Sequence, residues 1–126
     1  MNREEKMDTF SLGSCEDLKK INVDENTPKG TILYASDKIS ERWLILVDRV
    51  VPLENGYKTI IRHVSYDISG KRFLCDKINF TTSTWGSTAA GYDFYIASKE
   101  QRKFIIDLMA KNGIKYVKVL NRMIKR

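Results

Sequence analysis

"RWLILVDRVVPLENGYKTIIRHVSYDISGKRFLCDKINF", residues 42–80, decides the fold. Residues 42–51 are branched, aromatic and apolar on both faces, as a strand buried on two sides must be. Asn55-Gly56 is a hairpin-type turn, because both residues tolerate the left-handed backbone that tight hairpins use. Residues 57–66 and 71–80 read as the next two strands, joined through Asp67, Ile68, Ser69 and Gly70. Asp67 suits the opening of a type I turn, and Gly70 is free to take positive φ at its close. A three-residue loop of that kind pairs Asp67 with Lys71, and therefore Val64 with Leu74, Arg62 with Asp76 and Ile60 with Ile78. Apolar residues then oppose apolar ones, and the two charged pairs are each of opposite sign. The same register predicts His63 opposite Cys75.

Outside this block the pattern continues. Residues 31–35 ("TILYA") and 92–97 ("YDFYIA") are strands by composition. "SKEQRKFIIDLMAKNG" (98–113) is a helix over 99–112. Ser98 is its N-cap, Gln101 completes a capping box, and Phe104, Ile105, Leu108 and Met109 make the buried stripe. Lys103 and Asp107 form an i,i+4 pair, and Gly113 ends the helix. "IKYVKVL" (114–120) alternates as a terminal strand. On the N-terminal side, residues 1–27 are a polar arm. In it Ser14, Glu16 and Asp17 favour a short helix over 15–21. Pro28 and Gly30 mark the start of a single β-rich domain over 28–126. The expected architecture is α+β: a small curved antiparallel sheet or open barrel of five to six strands. One C-terminal helix packs on it, and a short N-terminal helix precedes it.

The chain has 126 residues, enough for one domain with a sizeable core. No apolar run approaches the ~20 residues of a membrane helix. "MNREEKMDTF" lacks the apolar segment of a secretory signal. Two cysteines, Cys15 and Cys75, make no disulfide framework, which points to a reducing, cytoplasmic setting. The net charge of +6 is uneven. Residues 111–126 carry Lys111, Lys115, Lys118, Arg122, Lys125 and Arg126 and no acid.

The hydroxyl-rich stretch "TTSTWGSTAAG" (81–91) has neither the Lys-Ser/Thr close of a phosphate loop nor the spacing of a nucleophile elbow. It reads as a long flexible connection between strands. Trp85 within it is either a buried pin or an anchor presented to a partner. Cys75 facing His63 is the one nucleophile–base arrangement on offer. No third group orients the ring, and cysteine is commonly a small buried hydrophobe, so no enzymatic activity is expected. No metal-ligand spacing appears and no cofactor is implied. Tyr57, Arg62, Tyr66, Lys71 and Arg72 lie on one hairpin and, with Trp85, form the expected contact surface. The same hairpin, with Lys58 added and the basic end of Lys111, Lys115, Lys118 and Arg122, could grip a single-stranded nucleic acid through phosphates and stacked bases.

"FYIASKEQRKFIIDLMAKNGIKY" (94–116) resembles the ending of small uncharacterised proteins from phages and prophages of gut bacteria. "GTILYASDKISERWLILVDRV" (30–50), with Trp43 on the second strand, is similar to the body that precedes that ending. The chain departs from that pattern in its 81–91 loop and its basic tail. The resemblance implies an accessory protein of a mobile element, working inside a bacterial cell, and carries no catalytic residues. The leading expectation is a non-enzymatic module that binds a protein partner. The alternative is a single-strand nucleic-acid binder.

Overall fold

The computed structural model describes residues 17–37, 39–75, 83–87 (backbone only) and 91–116. In chain order these form β1 (Lys20–Ile21), β2 (Ile32–Ser36), β3 (Arg42–Pro52), a 3-10 turn (Glu54–Gly56), β4 (Lys58–Asp67), β5 (Arg72–Cys75), β6 (Ser83–Ser87), β7 (Asp93–Ile96) and α1 (Lys99–Lys111). The sheet runs β1-β7-β2-β3-β4-β5, with β6 also on β4, and every pairing is antiparallel. No pairing among the described residues joins β1 to β5 or β6, so the sheet stays open. The α+β class, the antiparallel open sheet and the helix on it stand as expected.

Strand alternation, with a core on each face, explains the apolar runs Ile32–Ala35 of β2 and Trp43–Val47 of β3. Tyr34, Leu44, Leu46 and Val64 point to one face, where Ile105 and Met109 of α1 cover them. Leu33, Ala35, Trp43, Ile45 and Val47 point to the other. There they share a second core with Val23 and with Phe94, which pairs with Ala35.

The alternation does not run unbroken to the end of β3. Between Leu46 and Arg49 both strands of the β3–β4 pair skip one residue: Val47 pairs with Arg62 and Arg49 with Ile61, leaving His63 and Asp48 outside the ladder. Two facing irregularities restore the register but reverse the faces on both strands. Val50 and Ile60, which pair with each other, therefore join the second core, and Arg49 turns out to solvent.

The β4–β5 hairpin forms with a register one residue away from the expected one. Asp67 pairs with Arg72, Tyr66 with Phe73, Ser65 with Leu74 and Val64 with Cys75. The loop takes four residues, 68–71, and the left-handed position falls on Lys71 (φ 55°), not on Gly70. Side-chain burial explains the difference. Ile68 is buried in the helix-side core, and its N–H donates to Arg42 O at 2.9 Å. That burial is worth about 1.5–3 kcal/mol, against about 1–2 kcal/mol for a left-handed lysine. Arg72 adds an ion pair to Asp67 at 3.0 Å. Gly70 still fits by proximity: a Cβ there would lie 2.6 Å from Asp67 Oδ2 and would force that carboxylate to shift.

The other departures lie toward the ends and in the hydroxyl-rich stretch. β6 occupies the middle of residues 81–91, so the expected flexible connection contains a strand. It pairs with β4 beyond β5, Arg62 opposite Ser83 and Ile60 opposite Trp85. The expected partners Asp76 and Ile78 lie outside the described residues. From Asp17 to Ile21 no helix forms. Lys20 and Ile21 pair instead with Tyr95 and Phe94, a sheet contact that two turns of isolated helix cannot match. Residues 15 and 16 of that expected helix lie outside the described set. Of the terminal strand expected over 114–120, only 114–116 are described, and these are not in a strand. Ile114 is instead buried against the helix-side core.

α1 begins and ends as its sequence dictates. Gln101 N–H donates to Ser98 Oγ at 3.0 Å and Ser98 N–H to Gln101 Oε1 at 2.8 Å, a complete capping box. Gly113 (φ 78°) closes the helix, with Gly113 N–H bonded to Ala110 O and Ile114 N–H to Met109 O. Lys103 and Asp107 pair on the solvent face. Ser98→Ala removes one half of the box and is expected to lower stability by about 1 kcal/mol. Urea titration followed by circular dichroism measures that loss; an unchanged midpoint would show that the cap is energetically idle.

Candidate contact surface

The end of the β3–β4 hairpin presents apolar side chains on a stiff support. Pro52 pairs with Lys58, and Leu53 N–H donates to Tyr57 O at 2.6 Å across the 3-10 turn. Leu53 and Tyr57 flank that turn and are 46% and 50% exposed. Large apolar side chains left in water at adjacent positions, on backbone already fixed by hydrogen bonds, lose little entropy when a partner covers them. The β6 pairing brings the backbone of Trp85 opposite Ile60, three residues along β4 from Tyr57, or ~10 Å. Trp85 and Tyr57, distant in sequence, thus share one end of the sheet.

The remaining residues expected on this surface do not gather there. β4 is ten residues long, so Lys71 and Arg72 lie ~30 Å from Tyr57 and Lys58, at its far end. Tyr66 packs edge-on against Phe104, ring centroids 4.9 Å apart, and is half-buried in the helix-side core. Arg72 is committed to Asp67. Arg62 is half-buried; burial pulls its guanidinium below its ordinary pKa, and the nearby Cys75 opposes that shift. One continuous grip of aromatics and bases along the hairpin is therefore not formed. Lys111 and Lys115 are exposed. Lys118 and Arg122 lie outside the described residues.

The register sets Cys75 opposite Val64 and not opposite His63. Cys75 pairs with Val64 and packs against the helix-side core, whereas His63 is the residue left out of the ladder beside it. His63 is buried.

Two further features complete the surface. A cleft of about 380 Å³ lies between the β1–β7 edge and the start of β4, lined by Lys20, Asp24, Lys58, Tyr92 and Asp93 among others. Its charges largely answer one another: Lys20 Nζ lies 3.2 Å from Asp93 Oδ1. The Tyr92 phenol is pushed up to about 12, by burial first and by Glu41 second, and stays neutral. At the opposite end of β3 from Leu53, Ile39 is 85% exposed on the β2–β3 turn. Asp37 Oδ1 accepts the N–H groups of Ile39, Ser40 and Glu41 at 2.9, 3.0 and 2.9 Å. The bonds from Ile39 and Glu41 lead in holding that carboxyl below its ordinary pKa.

Sequence reasoning singled out Tyr57 and Trp85 but passed over Leu53. The signal was present: a large apolar residue directly after Pro52 and before Asn55-Gly56 sits in a turn, where burial is not available to it. No family model matches the chain, and no curated protein or solved structure is significantly similar to it.

Proposed function

We propose that this chain is a non-enzymatic binding module that contacts a protein partner through the end of its β3–β4 hairpin. The observation that carries this reading is the pair Leu53–Tyr57, exposed side by side on a hydrogen-bonded turn. β6 delivers the backbone of Trp85 to the same end. Trp and Tyr are the residue types that most often dominate binding energy at protein interfaces. The partner's matching surface is apolar, so the complex tolerates salt, unlike one built on charge. The accessory role in a phage or prophage, inside a bacterial cell, rests on the resemblance of residues 94–116 and 30–50. Among the described residues no helix is long and apolar enough to cross a membrane.

A photo-crosslinking residue placed at position 57, compared with one at Lys103 on the solvent face of α1, tests the assignment. Position 57 is expected to capture a specific protein at high salt, and position 103 is not. In the double variant Leu53→Ala/Tyr57→Ala, or in Trp85→Ala, capture is expected to fall by about tenfold or more, the loss typical of an interface anchor. Equal capture at both positions, or capture abolished by moderate salt, would remove this reading.

A further inference from the structure

Arg49 and Arg72 are exposed, and each is matched to a carboxylate. Arg49 Nη1 donates to Oδ2 of Asp48, whose side chain is fully buried and whose Oδ1 lies 3.6 Å from Lys29 Nζ. Arg72 Nη2 lies 3.0 Å from Asp67 Oδ2. Arg62 of β4 is set deeper, half-buried, and the ion pairs among the described residues do not include it. Its Nε–H is buried and has no hydrogen-bond acceptor among those residues. A buried donor without an acceptor is destabilising, most of all when it carries charge.

The register explains the depth. Arg62 pairs with Val47, whose side chain lies fully buried in the second core, so the stem of Arg62 starts on that same face. Long basic side chains lay their methylenes on apolar surface and carry the charged head outward. The dry region here reaches as far as Nε, which puts the guanidinium at the boundary of core and solvent. The pairing along β4 is interrupted at the same point. β5 and β6 share the edge of β4 away from β3. Val64, opposite Cys75, ends the β5 ladder, and Arg62, opposite Ser83, begins the β6 ladder. His63 between them belongs to neither, and is left out of the β3 ladder too.

Nε and the neighbouring Nη form the edge of a guanidinium that meets two oxygens of one carboxylate or phosphoryl group side by side. The unanswered donor of Arg62 lies on that edge. We propose that Arg62 is an oxyanion-binding site, taking a phosphate or carboxylate group on its Nε edge at the junction of the β5 and β6 ladders. One such group supplies both an acceptor for Nε–H and a counter-charge for the guanidinium. The site lies ~17 Å along the strand from Tyr57 and does not depend on the contact proposed there.

Thermal unfolding of the full chain, followed by circular dichroism in sodium phosphate, sodium acetate or sodium chloride at one ionic strength, tests the assignment. An anion held by the native state raises the midpoint by about 3–6 °C at about ten times its dissociation constant. A rise over chloride in phosphate alone marks a site for phosphoryl groups, and a rise in acetate marks one for carboxylates. Phosphate also stabilises proteins by exclusion from their surface, and Arg62→Gln reports that background. Arg62→Gln is expected to lose the specific shift and to be at least as stable as wild type in chloride, because an unmatched charge has been removed. Arg62→Lys keeps the charge but not the two-donor edge and is expected to lose most of the shift, which decides the matter if Arg62→Gln does not fold. Lys71→Gln, at the exposed β4–β5 turn, is expected to keep it. One midpoint in all three salts, or equal shifts in Lys71→Gln and the Arg62 variants, overturns the proposal. Neither result bears on the protein partner sought at Leu53 and Tyr57.

Discussion

Ile105→Ala is expected to lower the unfolding free energy by about 2–5 kcal/mol, a large share of the 5–15 kcal/mol typical of a domain. Ile105 is fully buried and sits in the middle of α1, where it covers the same face of the sheet as Tyr34, Leu44 and Val64. Truncation removes the transfer energy of three carbons and leaves a hole bounded by a β-sheet that cannot collapse into it, since β2 and β3 are packed on their other face as well. Leu108→Ala makes a useful comparison, because Leu108 is only half-buried and its loss is expected to cost clearly less. Urea unfolding reads both as shifts in midpoint at constant slope. If the two variants cost the same, α1 is not seated on the sheet through Ile105.

The second large effect concerns Asp48. Lys29→Met combined with Arg49→Met strips both cations from a fully buried carboxylate. The expected cost is about 3 kcal/mol, the lower end for breaking a buried ion pair, because water can enter from the side the two cations vacate. Adding Asp48→Leu should recover most of that loss, as replacing a whole buried ionic group with apolar side chains often does. A triple variant no more stable than the double would mean that Asp48 holds the reversed segment of β3 by bonds other than the two ion pairs. The same measurement on the Asp48→Leu single variant separates the packing of the new side chain from the charge.

These two positions also mark how far the chain could be read before it was folded. Ile105 follows from periodicity: Phe104, Ile105, Leu108 and Met109 recur at helical spacing between Ser98 and Gly113, and each of those signals acts within a few residues. Asp48 does not follow. In "LILVDRVV" an acid and a base interrupt an apolar run, and alternation alone would send Arg49 inward with Val47. The paired irregularities in β3 and β4 decide otherwise, and they exist because each strand's slip is matched by the other's. The contact surface divides in the same way. Tyr57 beside the Asn55-Gly56 turn was legible as a contact residue of the hairpin. That Trp85 comes to the same end depends on β6 pairing with β4, and Ser83–Ser87, polar and containing Gly86, carries too weak a strand signal to announce it.

What the amino-acid order determined by itself was everything whose cause is local: the two-faced strands, the hairpin at Asn55-Gly56, and the capped helix that buries Ile105 and Met109 while Phe104 and Leu108 of the expected stripe stay half-buried. Only the tertiary structure decided the β4–β5 register, the strand within residues 81–91, the faces beyond Val47 and the contact between Tyr116 and Gly30. Those features are settled by partners tens of residues away. The burial of Ile68 against a distant helix outweighs the turn preference of Gly70, and an edge of β4 recruits a segment that would not be a strand alone. Short-range propensities set what each segment can be, and the larger burial energies of long-range packing choose among those possibilities.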